Sequence, residues 1–96
     1  MPTSQAKVPT DSAPRYAKQL LSHLGRKTRV EPLEAEPEGG RLMFEYGTGT
    51  VRPAGDHLLL VAEAADEDSL RHVEDVLARH LERFGARREL VVTWTH

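Results

Sequence analysis

The chain has 96 residues and a formal net charge of −2, with 39% hydrophobic and 29% charged residues and no cysteine. This is one domain's worth of chain (residues 1–96), able to bury one core without staples, and it excludes disulfides, thiolate chemistry and cysteine-ligated zinc or iron–sulfur centres. The opening Met-Pro-Thr-Ser-Gln-Ala-Lys is no signal peptide, and the longest apolar runs, Leu58–Ala62 and Leu90–Val92, are far too short to span a bilayer, so the expected compartment is the cytoplasm.

Gln5 to Thr10 alternates weakly and predicts a short edge strand, since Pro9 has no N–H to give to a ladder. Ala13 to Leu24 predicts the first helix. Asp11 or Ser12 is placed to cap it, and Pro14 sits in the first turn, where a missing N–H costs little. Ala13, Tyr16, Ala17, Leu20 and Leu24 form its apolar stripe. Gly25 is expected to stop it in the left-handed conformation, with Arg26 and Lys27 beside the negative end of its dipole.

The middle reads as four short strands joined by turns, the pattern of an antiparallel meander. Arg29 to Ala35 is irregular, interrupted by Pro32, and Glu36–Gly40 is a turn. Arg41 to Tyr46 alternates, with Leu42, Phe44 and Tyr46 on one face. Gly47-Thr48-Gly49 is read as a turn leading into Thr50–Arg52, and Pro53–Asp56 as a turn leading into His57–Ala64.

The second helix starts at an N-capping Asp66 with Glu67 and Asp68 in its first turn. Leu70, Val73, Leu77, Leu81 and Phe84 make its buried stripe. Glu67, Arg71, Asp75, Arg79 and Arg83 run down the opposite face at i,i+4 spacing. Gly85 is expected to stop it, and Glu89 to Thr95 closes the chain as a strand with Leu90, Val92 and Trp94 on one face. The order β-α-β-β-β-β-α-β predicts an α+β two-layer sandwich, with two helices on one face of a mostly antiparallel sheet.

Charge is unevenly spread: residues 1–30 carry a net +5, 31–82 a net −9 and 83–96 a net +2. Either opposite-sign surfaces adjoin in the fold, or the first helix presents an anion- or partner-binding face. Arginine outnumbers lysine ten to three and isoleucine is absent, a bias of GC-rich, actinobacterial-type coding that speaks to origin alone.

With cysteine absent, the five histidines are the obvious carriers of chemistry. None has i,i+4 or His-x-His spacing, so no local metal motif exists and no cofactor is expected. His23 and His80 sit at the same angular margin of their stripes, about 60° from Leu20 and Leu77 at 100° per residue. On antiparallel helices that margin faces either the shared seam or the two outer edges. A seam pair, with Gln19 beside it, would ligate a metal, bind an anion or titrate near neutral pH. The structural alternative is that each ring is half-buried and bonded to a backbone carbonyl or carboxylate. His57, His72 and His96 read as surface residues.

Other chemistry is thin. A phosphate cradle at Gly47–Thr50 would need a helix after it, and a strand follows. No Gly-x-Ser-x-Gly elbow or activated nucleophile occurs. Glu74 and Asp75 diverge by about 100° on their helix and form no acid–base pair. Arg15, Lys18, Arg26, Lys27 and Arg29 lack the aromatic platform of a nucleic-acid binder.

Arg15-Tyr16-Ala17-Lys18-Gln19-Leu20 with His23, then Glu63–Glu67 leading to Val73–Val76 and His80–Phe84, and finally Glu89–Trp94 resemble a family of short bacterial proteins catalogued as domain of unknown function 2218. The resemblance spans nearly the whole chain and implies no established activity. It implies an association, in some genomes, with iron-siderophore uptake and siderophore-interacting proteins. Members often carry a second histidine three places after the one matching His23, where this chain has Arg26, so a family His-x-x-His metal site would be half lost here.

The expected function is an uncharacterised cytoplasmic binding or accessory domain. Its candidate surface is the helix seam, with Gln19, His23 and His80 at the centre, Tyr16 and Lys18 nearby and Arg83 as an anion partner. A protein or a small anionic ligand is the expected partner; a membrane or nucleic acid is not. The alternatives are a metal- or siderophore-related accessory role for the histidine pair and, last, a small acid–base enzyme.

Overall fold

The computed structural model describes residues 2–26, 28–32, 39–84 and 92–95. The elements within them are β1 (Thr3–Pro9), α1 (Ala13–Leu24), β2 (Arg29–Pro32), β3 (Gly40–Phe44), β4 (Gly47–Ala54), β5 (His57–Ala64), α2 (Glu67–Phe84) and β6 (Trp94–Thr95). This is the predicted order. The strands form one antiparallel sheet in the order β2-β3-β4-β5-β1-β6, and both helices pack on it. The last part of the expected strand Arg29 to Ala35 (residues 33–35), the expected turn residues Glu36–Glu38, the stop at Gly85, strand residues Glu89–Val91, Lys27, His96 and the Phe84 side chain lie outside what is described.

Alternation in the sequence explains which side of the sheet is covered. In β5, Leu58, Leu60, Ala62 and Ala64 are buried and the residues between them are not. In β1, Ser4, Ala6 and Val8 are buried between exposed neighbours. The register sets Ala6 opposite Leu60 and Val8 opposite Leu58, so both rows face one layer. Onto it α1 lays Ala13, Tyr16, Ala17, Leu20 and Leu24, and α2 lays Leu70, Val73, Leu77 and Leu81. Burying a Leu or Val fully is worth about 1.5–3 kcal/mol each, so this layer dominates stability.

Three expectations need correction. First, β1 is no edge: it lies between β5 and β6, paired with β5 from Thr3 to Pro9 and with β6 at Gln5 and Ala6. The lack of a donor at Pro9 is met by its place at the strand's end, while β2 and β6 form the edges.

Second, Gly47-Thr48-Gly49 is strand, not turn. The hairpin turns on Glu45 and Tyr46, between the paired Phe44 and Gly47. Gly49 is set by the helix above, since a Cβ there would fall 2.9 Å from Leu77 Cδ1; at Gly47 a Cβ would run first into the Glu63 carbonyl oxygen of the paired strand and then lie 2.9 Å from Val73 Cγ2. The next turn is narrower than expected, on Gly55 and Asp56 between Ala54 and His57. Gly55, at φ 67°, supplies its left-handed residue.

Third, Gly25 ends α1 in the right-handed conformation, at φ −64° and ψ −12°. Its need for glycine is steric, since a Cβ would lie 2.7 Å from the Leu21 carbonyl oxygen and 3.1 Å from Val30 Cγ2. At the other end, Ser12 holds the N-cap position without a side-chain cap bond; its N–H donates instead to Thr10 Oγ1 at 3.1 Å. The α2 cap is as predicted, with the Ser69 N–H donating to Asp66 Oδ1 at 2.7 Å.

Candidate functional site

The buried stripe of each helix fixes where its margin falls, and the two margins meet. The rings of His23 on α1 and His80 on α2 have centroids 5.2 Å apart and planes inclined by 48°. His80 is half-buried and its Nδ1 lies 2.8 Å from the Val76 carbonyl oxygen, one turn back on α2. A carbonyl only accepts, so Nδ1 carries the hydrogen, and Nε2 is the nitrogen left to act as acceptor or ligand. His23 is exposed.

An open groove of about 310 Å³ runs along α1 beside the pair, lined by Lys18, Gln19, Ser22, His23 and Arg26. These positions are related by i,i+3 and i,i+4 steps, which stack side chains on one helix face. From Ala13 to Arg26 the chain has no Asp or Glu. The groove therefore combines an ammonium, a guanidinium, a hydroxyl, an amide and an imidazole, with no carboxylate from its own helix to compete for an anion.

Of the residues read as the site from sequence, Lys18, Gln19 and His23 line this groove, and His80 touches it through His23. Tyr16 does not: it is 6% exposed and belongs to the core, because it falls on the α1 stripe. Arg83 is exposed on the last turn of α2, three residues beyond His80, and does not line the groove. Ser22 and Arg26 were not anticipated, although the series Lys18, Ser22, Arg26 is legible as an i,i+4 ladder.

Two other places carry polar or aromatic groups. Ser4 Oγ donates to Glu74 Oε2 inside the protein, tying β1 to α2, beside a cleft of about 310 Å³ lined in part by Glu67 and Arg71. At the end of the β3–β4 hairpin, Phe44 stacks on Tyr46 at 5.3 Å and Tyr46 on His72 at 3.9 Å, next to a cleft of about 500 Å³. Burial raises the Tyr46 phenol pKa above 10.0. That cleft mixes Arg41, Glu45 and Glu63 with apolar side chains, so its charge selects no ligand sign as the α1 groove does.

The fold has a counterpart among solved structures. The NMR structure of PA4090 from Pseudomonas aeruginosa is similar at a TM-score of 0.79 and 36% sequence identity, over 99% of this chain and 96% of that one. Residues 5–95 match a family described as an uncharacterized protein conserved in bacteria, DUF2218. The chain belongs to that family. A comparison with curated proteins finds no match. Among the described residues no helix is long and apolar enough to cross a membrane.

Proposed function

We propose that this chain is a small binding module whose ligand groove lies along α1 beside the histidine seam and takes a small anionic ligand of the carboxylate or phosphate class. The observation that carries the reading is the groove itself: Lys18, Gln19, Ser22, His23 and Arg26 line it on a helix free of carboxylates. Arg26 offers a planar fork suited to two anion oxygens, and Lys18 a compact point charge. Its volume, about 310 Å³, is at the lower end of ligand-site sizes and suits a small molecule. Its openness to solvent favours reversible capture over chemistry that requires water to be excluded.

The test is a titration with inorganic phosphate and with citrate, followed by amide NMR. Saturable shifts confined to Lys18–Arg26 and to the neighbouring α2 turn around His80 are expected. Arg26→Ala or Lys18→Ala should weaken binding about tenfold, equivalent to about 1.4 kcal/mol. Shifts that map elsewhere, or a response that Arg26→Ala leaves intact, would overturn the reading.

A further inference from the structure

We infer that His23 and His80 together form a binding site for a first-row divalent transition metal of the zinc class, with its remaining coordination positions open to the α1 groove. Two imidazoles on one tetrahedral ion, each nitrogen about 2.0–2.1 Å from the metal, have ring centroids roughly 5 Å apart. The observed separation is 5.2 Å. Ring inclination matters as much. A nitrogen lone pair lies in the plane of its ring, and lone pairs in two parallel planes never converge. Planes inclined by 48° intersect, so two lone pairs are able to share one point.

The tautomer agrees. By donating its Nδ1 hydrogen to the Val76 carbonyl, His80 is oriented and presents Nε2, the outer-shell arrangement typical of histidine ligands. His23 is exposed, which gives an ion access from solvent. Among the described residues no third histidine, cysteine or carboxylate joins the pair. The ion therefore keeps open positions, filled by water or by an anion. A purely nitrogen donor set suits zinc, nickel or copper and not calcium or magnesium, which require oxygen ligands. An anion held by Lys18 and Arg26 is placed to complete the coordination. The inference rests on the groove reading for this co-ligand only.

Zn(II) alone, titrated into the protein and followed by histidine ring NMR, tests the metal site. The expected result is that the His23 and His80 rings shift together at one-site saturation. His23→Gln and His80→Gln should each lower affinity by more than the roughly tenfold cost of losing an outer-shell partner, with His57→Gln as the unaffected control. If Zn(II) moves neither ring, or only one, or if His57→Gln costs as much, the site is refuted. Should His80→Gln fail to fold, the two ring shifts in the unaltered protein decide the matter.

Phosphate without metal separates the two readings. Lys18–Arg26 shifts that persist while Zn(II) fails leave the groove standing and remove the metal. Zn(II) binding without a phosphate response does the reverse. At fixed Zn(II), acetate should tighten binding in the unaltered protein and not in Arg26→Ala; an equal gain in both removes the co-ligand.

Discussion

The imidazole of His72 lies flat on the phenol ring of Tyr46, with centroids 3.9 Å apart and planes 3° from parallel. Tyr46 occupies the β3–β4 turn and His72 the first half of α2, so the stack pins a hairpin tip to a helix. His72→Ala should therefore cost about 0.5–1.5 kcal/mol beyond lost area, read as a lower urea midpoint at unchanged m. The same burial raises the phenol pKa above 10.0. The unfolded chain then loses this proton first, so the contribution is fully present below pH 10.0 and is lost as pH rises through the folded value. Absorbance at about 295 nm should show a late-ionising tyrosine that vanishes in Tyr46→Phe, along with part of the alkaline loss of stability.

Ser4 and Glu74 should behave as a unit, because each buried group is partnered by the other. Glu74→Ala leaves a hydroxyl without that acceptor and should cost about 1–3 kcal/mol. Glu74→Gln keeps an acceptor and should cost less. A double-mutant cycle with Ser4→Ala should give a coupling of about 0.5–3 kcal/mol; additivity within error would show that the bond contributes nothing.

Gly49 is set by Leu77. Gly49→Ala places a methyl 2.9 Å from Leu77 Cδ1 and should destabilise by about 1–3 kcal/mol. In a Leu77→Ala background the added methyl enters the space vacated and should cost less or stabilise. Equal cost in both backgrounds would mean that α2 does not set the limit.

Asp66 caps α2, and the Ser69 N–H and then the Ser69 hydroxyl hold its carboxyl below 3.8. A lowered carboxyl stabilises the fold above the unfolded pKa and stops doing so as pH falls through the folded value. Asp66→Ala should lower Tm at neutral pH, and the gap between the two proteins should close at acid pH. A gap independent of pH would assign the effect to something other than the ionised cap.

Much of this fold is legible in the residues because local periodicity and burial agree. Leu70, Val73, Leu77 and Leu81 leave one inward face for α2, and Asp66 marks its start. The candidate site was legible in part: the residues put His23 and His80 on the same margin, facing the seam or the outer edges, and the packing of the helices decides for the seam. Glu74, four residues after Leu70, falls on the inward face of α2, and the hydroxyl that meets it there, that of Ser4, comes from a strand seventy residues away. Non-local facts were not legible. Nothing in Gln5–Thr10 names β5 and β6 as its neighbours, and Gly47 and Gly49 look like turn residues until the strand and the helix packed against them are known.

The place of β1 bears on how the molecule assembles. Its partners in β5 are roughly fifty to sixty positions away along the chain, whereas β3, β4 and β5 meet through two-residue turns. Closing the long loop costs entropy before any pairing returns it. Pairing of β1 with β5 therefore carries a larger loop-closure cost than either hairpin, and the seam where His23 meets His80 likewise joins segments far apart along the chain.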